Sequence, residues 1–233
     1  MPQLSYVCRA IRRTQGPSPR IRREPITPAH LRTMLDFLNT ARFSQHDRCM
    51  WKCVIITAFF GMLRVSEYTT PSNTAFESGV HLASTNITLS PQMATIRIKA
   101  LKTDPFRSGM IVRLYAIQDP LCPVNALREY LNLRSRLPAG PFFVLSNGDH
   151  LTRPHVAAFL TISFPAAVNI NTHSFRIGGA STAASSGVPD SIIQIMGRWR
   201  SDTFKRYLRL DDRILRGWSA TMAKANVVTT WKP

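Results

Sequence analysis

His173 and Arg176 lie three residues apart, a spacing that puts both on one face of a helix. Further on, Gly197-Arg198-Trp199-Arg200-Ser201-Asp202 sets an indole among cations, and Lys205-Arg206-Tyr207 does the same for a phenol. These residue types can hold a phosphate and attack it. Breaking a phosphodiester without a metal needs a nucleophile, a neutraliser of the anionic transition state, and a proton for the leaving 5′ oxygen. Arginine suits the second task, because its planar fork binds two phosphate oxygens and keeps its charge. A tyrosine hydroxyl suits the first if nearby cations favour the phenolate, since its free pKa is about 10. Lysine or histidine can supply the proton.

Composition points to a polyanionic partner. Thirty Lys and Arg oppose thirteen Asp and Glu in 233 residues, a formal charge of +17. Such an excess attracts nucleic acid in a strongly salt-dependent way. A membrane is the rival anionic surface, but no apolar run reaches the roughly 18 residues needed to span one. The N-terminal arginines have no apolar stretch behind them, so they do not read as a secretory signal. With 44% hydrophobic residues the chain can build one well-packed domain, or a domain with an arm. Cys8, Cys49, Cys53 and Cys122 are scattered, with no Cys-x-x-Cys or paired histidines to complete a metal site, and read as buried thiols. The sequence has no Gly-Lys-Ser/Thr phosphate loop, and its acidic residues are too dispersed for a two-metal nuclease. No cofactor or metal is expected.

The elements that must position these groups are legible in outline. Thr27 caps a helix with Pro28 at its first position and Leu31, Met34, Leu35 and Leu38 on one side. A second helix is predicted from about Asp47 to Leu63, with Trp51, Val54, Ile55, Ala58, Phe59 and Met62 inward. After a loop around 70–85, three strands are predicted at Asn86–Ser90, Ala94–Lys99 and Met110–Ala116, forming a small antiparallel sheet. Pro123 opens a helix, Phe142–Leu145 reads as a short strand, and Thr152 caps a helix to about Leu160. A helix follows His173 and ends at Gly187, and Pro189 starts a short one with Ile192, Ile193 and Met196 inward. A final helix carries Phe204, Tyr207 and Leu208.

In this order the motifs resemble the catalytic domain of tyrosine recombinases, the phage-integrase group, over about residues 25–212. Gly61-Met62-Leu63-Arg64-Val65-Ser66-Glu67 is similar to that family's first-arginine motif, and Leu101-Lys102-Thr103 to its β-hairpin lysine. His173 and Arg176 match its His-x-x-Arg pair, and Tyr207 its nucleophile. The resemblance implies an α+β, mainly α-helical fold, a catalytic core with a small antiparallel sheet. It implies roles as well: Tyr207 attacks the phosphate, Lys102 protonates the leaving hydroxyl, and Arg64, Arg176 and His173 stabilise the transition state. Glu67 would hold Arg64. The family's penultimate histidine or tryptophan follows a glycine and stands nine residues before the tyrosine, which Arg198 satisfies by count. Trp199 suits the chemistry better, because an indole N–H can donate to a phosphate oxygen. The wording Gly-Arg-Trp followed by Arg-Tyr-Leu-Arg is closest to recombinases of eukaryotic retroelements and transposons.

The resemblance further implies double-stranded DNA as partner and a homotetramer at work on it. Residues 1–24 read as a basic arm, the end of a core-binding domain, and 25–233 as the catalytic domain with its tail. Arg12, Arg13, Arg22 and Arg23 of the arm, with Lys99, Arg200, Lys205 and Arg206, are the expected phosphate contacts. The compartment follows the host: the nucleus of a eukaryote, favoured by the retroelement wording, or the cytoplasm of a bacterium. Plainer explanations stand beside each residue taken alone. Arg64 can end a helix as a surface cation, Lys99 rivals Lys102, and Trp199 and Tyr207 can simply pack. A DNA-binding relic that no longer recombines, and relaxation of the type IB topoisomerase kind, are the competing functions.

Overall fold

The helix around which the chain packs is buried on every side. In the computed structural model, which describes residues 23–99, 109–167, 169–199, 201–206 and 208, α2 (Gln45–Phe60) is buried from Met50 to Phe59 with Lys52 excepted. The sequence pattern predicts a single inner face. The structure instead wraps α2 with α1 (Pro28–Thr40), α3 (Pro123–Arg134) and α5 (Ser174–Ser185). Trp51 stacks flat on Phe159 of α4 (Arg153–Ser163), ring centroids 4.3 Å apart. The helix starts where Ser44 accepts the Asp47 N–H and stops at Phe60, short of the expected Leu63. Beyond Gly61, Met62 takes φ 44°, a left-handed turn that reverses the chain just before Arg64.

Thr27 and Pro28 start α1 as predicted. The His30 N–H donates to the Thr27 hydroxyl at 3.3 Å, and the Thr27 N–H donates back to His30 Nδ1 at 3.1 Å, so two orphan donors are satisfied reciprocally. Leu31, Met34 and Leu38 face the core. Ahead of α1, the Ile26 N–H donates to the Ser174 carbonyl at 3.0 Å and lays this entry segment against α5. The small residues of α5 make room for it. A Cβ on Gly178 would fall onto the Ile26 carbonyl, and one on Gly179 would lie 2.5 Å from the Phe59 carbonyl. α5 can therefore approach α2 and the entry segment at backbone distance, which brings the residues at its own first turn close to the end of α2.

The sheet is three-stranded and antiparallel in the order β1 (Ile87–Leu89), β2 (Met93–Ile98), β3 (Met110–Tyr115). Thr95 faces Arg113 and Ile98 faces Met110 across the β2–β3 pair. Side chains alternate as a half-buried sheet requires: Ala94, Ile96, Ile98, Val112 and Leu114 point to the core, while Arg97, Arg113 and Tyr115 point out. The turn expected to carry Lys102 lies outside the described residues.

Two expectations need correction. Phe142–Leu145 is not a strand and makes only isolated bridges, with Pro141 against Ala83 and Val144 against His150. Its first carbonyl is claimed by side chains, because Tyr130 O–H and Arg134 Nε both donate to Phe142 O at 3.1 Å. The last α-helix among the described residues, α6 (Asp190–Gly197), buries Ile193 but leaves Ile192 and Met196 more than 40% exposed, not inward as expected. Four large apolar residues in eight exceed what one covered face can take. Ile193 joins a small second core with Met62, Ala180, Trp199 and Phe204. The others border an open groove beside β3, with Met110, Ile111 and Tyr115 opposite. Past α6 the described residues form a 3-10 helix, Asp202–Arg206; Phe204 is buried and Leu208 packs on the second core, while Tyr207 of the expected final helix lies outside the described residues.

Candidate active site

The turn after α2 sets the first arginine. Arg64 caps a short 3-10 helix, Val65–Glu67, and Glu67 reaches back to it twice. The Arg64 backbone N–H donates to Glu67 Oε2 at 2.9 Å, and Arg64 Nη1 donates to Oε1 at 2.9 Å. The Glu67 side chain is 2% exposed and that of Arg64 25% exposed. The guanidinium is therefore fixed at its root while its head remains partly open.

From α5 comes Arg176, which is 1% exposed. Its two Nη groups donate to the Met62 and Gly197 carbonyls, so one side chain ties the turn after α2 to the end of α6. Trp199 lies over it, with the guanidinium carbon 4.2 Å from the ring centroid, in cation–π contact. Phe204 backs the indole at 5.7 Å. Arg198, at the C-cap of α6, turns inward and donates to Glu67 Oε2 at 2.7 Å. Arg64 and Arg198 thus share one carboxylate, while Arg176 is held by carbonyls, so the three guanidinium charges exceed the single negative charge paired with them. The surplus suits an anion, and a phosphodiester approaching its transition state gains negative charge.

His173 is the N-cap of α5, where its backbone N–H donates to Asn171 Oδ1 at 2.9 Å. Its imidazole pKa is pushed down to about 4, first by burial and then by the charges of Arg23, Arg176, Arg64 and Arg153. The ring is therefore uncharged at neutral pH, with one nitrogen able to donate and the other able to accept a hydrogen bond. Stability has to follow. Between pH 6.5 and about 4 the unfolded chain binds a proton here that the folded chain does not, so stability is full above 6.5 and falls as pH drops through that window. The limiting slope is about 1.4 kcal/mol per pH unit, lessened by solvent screening of a half-buried ring. Urea unfolding at a series of pH values should show this fall in the wild type and a shallower one in His173→Gln.

Of the residues singled out in the sequence, the structure brings Arg64, Glu67, Arg176, Arg198 and Trp199 into one contiguous set, with His173 and Arg23 in its electrostatic reach. Two other cations have different partners. Lys99 donates to the Ser78 carbonyl at 2.5 Å, and Lys205 pairs with Asp202 at 3.0 Å and more distantly with Asp190 at 3.9 Å. Lys102, Tyr207, Arg12, Arg13, Arg22 and Arg200 lie outside the described residues, as does the side chain of Arg206. Sequence reasoning missed Arg153, whose charge bears on His173 from the first turn of α4. A signal was present: a cation in a helix's first turn opposes the dipole, and an anion nearby would account for it. The Gly61, Met62 and Gly197 carbonyls that hold the guanidinia carried no comparable sign.

No protein-family model and no curated protein matches the sequence. Solved structures match the fold. The XerH site-specific recombinase in a post-cleavage complex with palindromic difH substrate gives a TM-score of 0.63 at 17% identity, over 88% of this chain and 55% of XerH. The Tn1549 transposon integrase with a circular intermediate DNA gives 0.61 at 13% identity, over 90% of this chain and 68% of the integrase. A lambda integrase dimer bound to a COC′ core site gives 0.53 at 15%, over 83% and 49%. The chain therefore spans about half the length of XerH and of lambda integrase. At these identities the likeness is one of fold: the chain has the α+β fold of the tyrosine-recombinase catalytic domain.

Proposed function

We propose that this chain cuts and rejoins duplex DNA through a 3′-phosphotyrosyl intermediate, as a tyrosine-type recombinase or integrase. One observation carries the reading. Arg64, His173, Arg176 and Trp199, from three distant segments, converge on a site with surplus positive charge, in a fold shared with DNA-bound recombinases. The Tyr207 phenolate oxygen attacks the scissile phosphorus and the bond to the 5′ oxygen breaks. The Lys102 ammonium supplies the proton that the departing oxygen takes up. Arg64 and Arg176 neutralise the transition state from preorganised positions, and uncharged His173 offers a ring N–H to a phosphate oxygen. A 5′-hydroxyl then attacks the phosphotyrosine and reseals the strand, returning the proton to lysine.

Arg23 and Arg153 would meet the flanking phosphates, with Arg12, Arg13, Arg22, Arg200 and Arg206 extending that contact. Exchange of strands between two duplexes would take four protomers. The likeness to a transposon integrase supports a mobile-element origin, and in a eukaryotic host the site of action would be the nucleus. The test is a nicked suicide substrate, from which the short cleaved strand diffuses away and leaves the adduct trapped. A denaturing gel should show a protein–DNA band that Tyr207→Phe abolishes. DNA binding with no adduct on any substrate would leave a binding protein and overturn the enzymatic reading.

A further inference from the structure

Arg198 occupies a place that helix ends usually give to glycine or asparagine. It closes α6 in the left-handed region, φ 60° and ψ 42°, where a Cβ is disfavoured. A long cation gains nothing from that backbone by itself. The left-handed turn does, however, carry the side chain back across the site. Arg198 Nη1 donates to the Gly61 carbonyl at 2.9 Å and the Met196 carbonyl at 3.2 Å. Its Nη2 donates to the Met62 carbonyl at 3.1 Å and to Glu67 Oε2 at 2.7 Å. Both Gly61 and Met62 lie just past the end of α2, where helix carbonyls lose their intrahelical donors. The residue is 8% exposed, and its Nε is buried without an acceptor.

We infer that Arg198 is a positioning residue that sets Arg64 through Glu67 and the Gly61–Met62 carbonyls, and not the penultimate ligand of the phosphate. This rests on the recombinase reading above. Glu67 Oε2 accepts from the Arg64 backbone N–H and from Arg198 Nη2, and Arg198 is the one of the two that ties the carboxylate to the end of α6. Arg64 is thereby ready only when the end of α6 is seated against the turn after α2. The segment leading to Tyr207 begins at that same point, so first arginine and nucleophile-bearing segment are assembled together. Arg198 and Trp199, rivals in the sequence, divide the work: the indole covers Arg176 and Arg198 braces Arg64.

The test is a double-mutant cycle on the full chain. Single-turnover cleavage of the suicide substrate is compared for wild type, Arg198→Lys, Glu67→Gln and the double variant, with DNA affinity measured alongside. Lysine keeps the charge but cannot span two carbonyls and a carboxylate. Cleavage should fall about 10- to 100-fold in Arg198→Lys, as for other outer-shell partners. Affinity should stay within about twofold, and the double variant should be no worse than its worse parent. A direct phosphate ligand would instead give multiplying losses, and that result overturns the inference. A second readout needs no catalysis: NMR of the Arg64 guanidinium in the free protein, whose protons should exchange faster in both Arg198→Lys and Glu67→Gln. Arg64 signals unchanged in Glu67→Gln would also overturn it, even if Arg198→Lys failed to fold. Wild type that forms no adduct would defeat the recombinase reading, while the NMR comparison would still decide whether Arg198 braces Arg64.

Discussion

Replacing Arg176 with lysine should lower the rate of DNA cleavage by about 10²–10³-fold, the cost of losing one preorganised transition-state donor. Charge is conserved in this variant, so geometry alone is under test. The guanidinium spreads its donors between the Met62 and Gly197 carbonyls while its face meets Trp199 at 4.2 Å. An ammonium is a point charge and can satisfy one of those carbonyls but not the other, and it cannot stack. Because the residue is almost wholly buried, its charge acts through a medium less polarisable than water, where misplacement is felt strongly. Single-turnover cleavage, with DNA affinity measured separately, distinguishes this from weaker binding. A lysine variant that cleaves like wild type would remove Arg176 from the centre of the site.

Glu67→Ala should destabilise the fold by about 3–5 kcal/mol, because it strands a buried guanidinium. The Glu67 carboxylate accepts from Arg64 and from Arg198, and both the Glu67 and Arg198 side chains are almost fully enclosed. Burial already lowers the Arg198 pKa, and the neighbouring Glu67 charge works against that. The surface pair Lys52–Glu129, at 2.8 Å, offers the control: Glu129→Ala should cost no more than about 1 kcal/mol. Urea unfolding of the two variants at one pH measures the contrast. Equal costs would mean that the Glu67 cluster does not tie the turn after α2 to α6.

Local chemistry makes much of this fold legible in the sequence. Thr27-Pro28, Pro123 and Thr152 start helices because a fixed proline φ and an N-terminal hydroxyl act within one turn. β2 and β3 were readable because alternation has a period of two and one face is buried. The failures share a cause in partners distant along the chain. α2 looks amphipathic until three helices close round it. Phe142–Leu145 looks like a strand until Tyr130 and Arg134 take the Phe142 carbonyl. Ile192 and Met196 look inward until α6 is seen to be covered on one side only. The site divides in the same way. The His173–Arg176 spacing is local and legible, and so is the reach of Glu67 back to Arg64. The inward turn of Arg198 depends on a left-handed φ that an arginine does not announce, and on acceptors more than a hundred residues earlier.

The proposed role of this cluster is to serve attack by Tyr207 on a DNA phosphate. The most direct measurement is peptide mapping by mass spectrometry of protein trapped on the suicide substrate. One modified peptide is expected, with the 3′-phosphate of the cleaved strand esterified to Tyr207. Linkage to another residue, or through a 5′-phosphate, would contradict it.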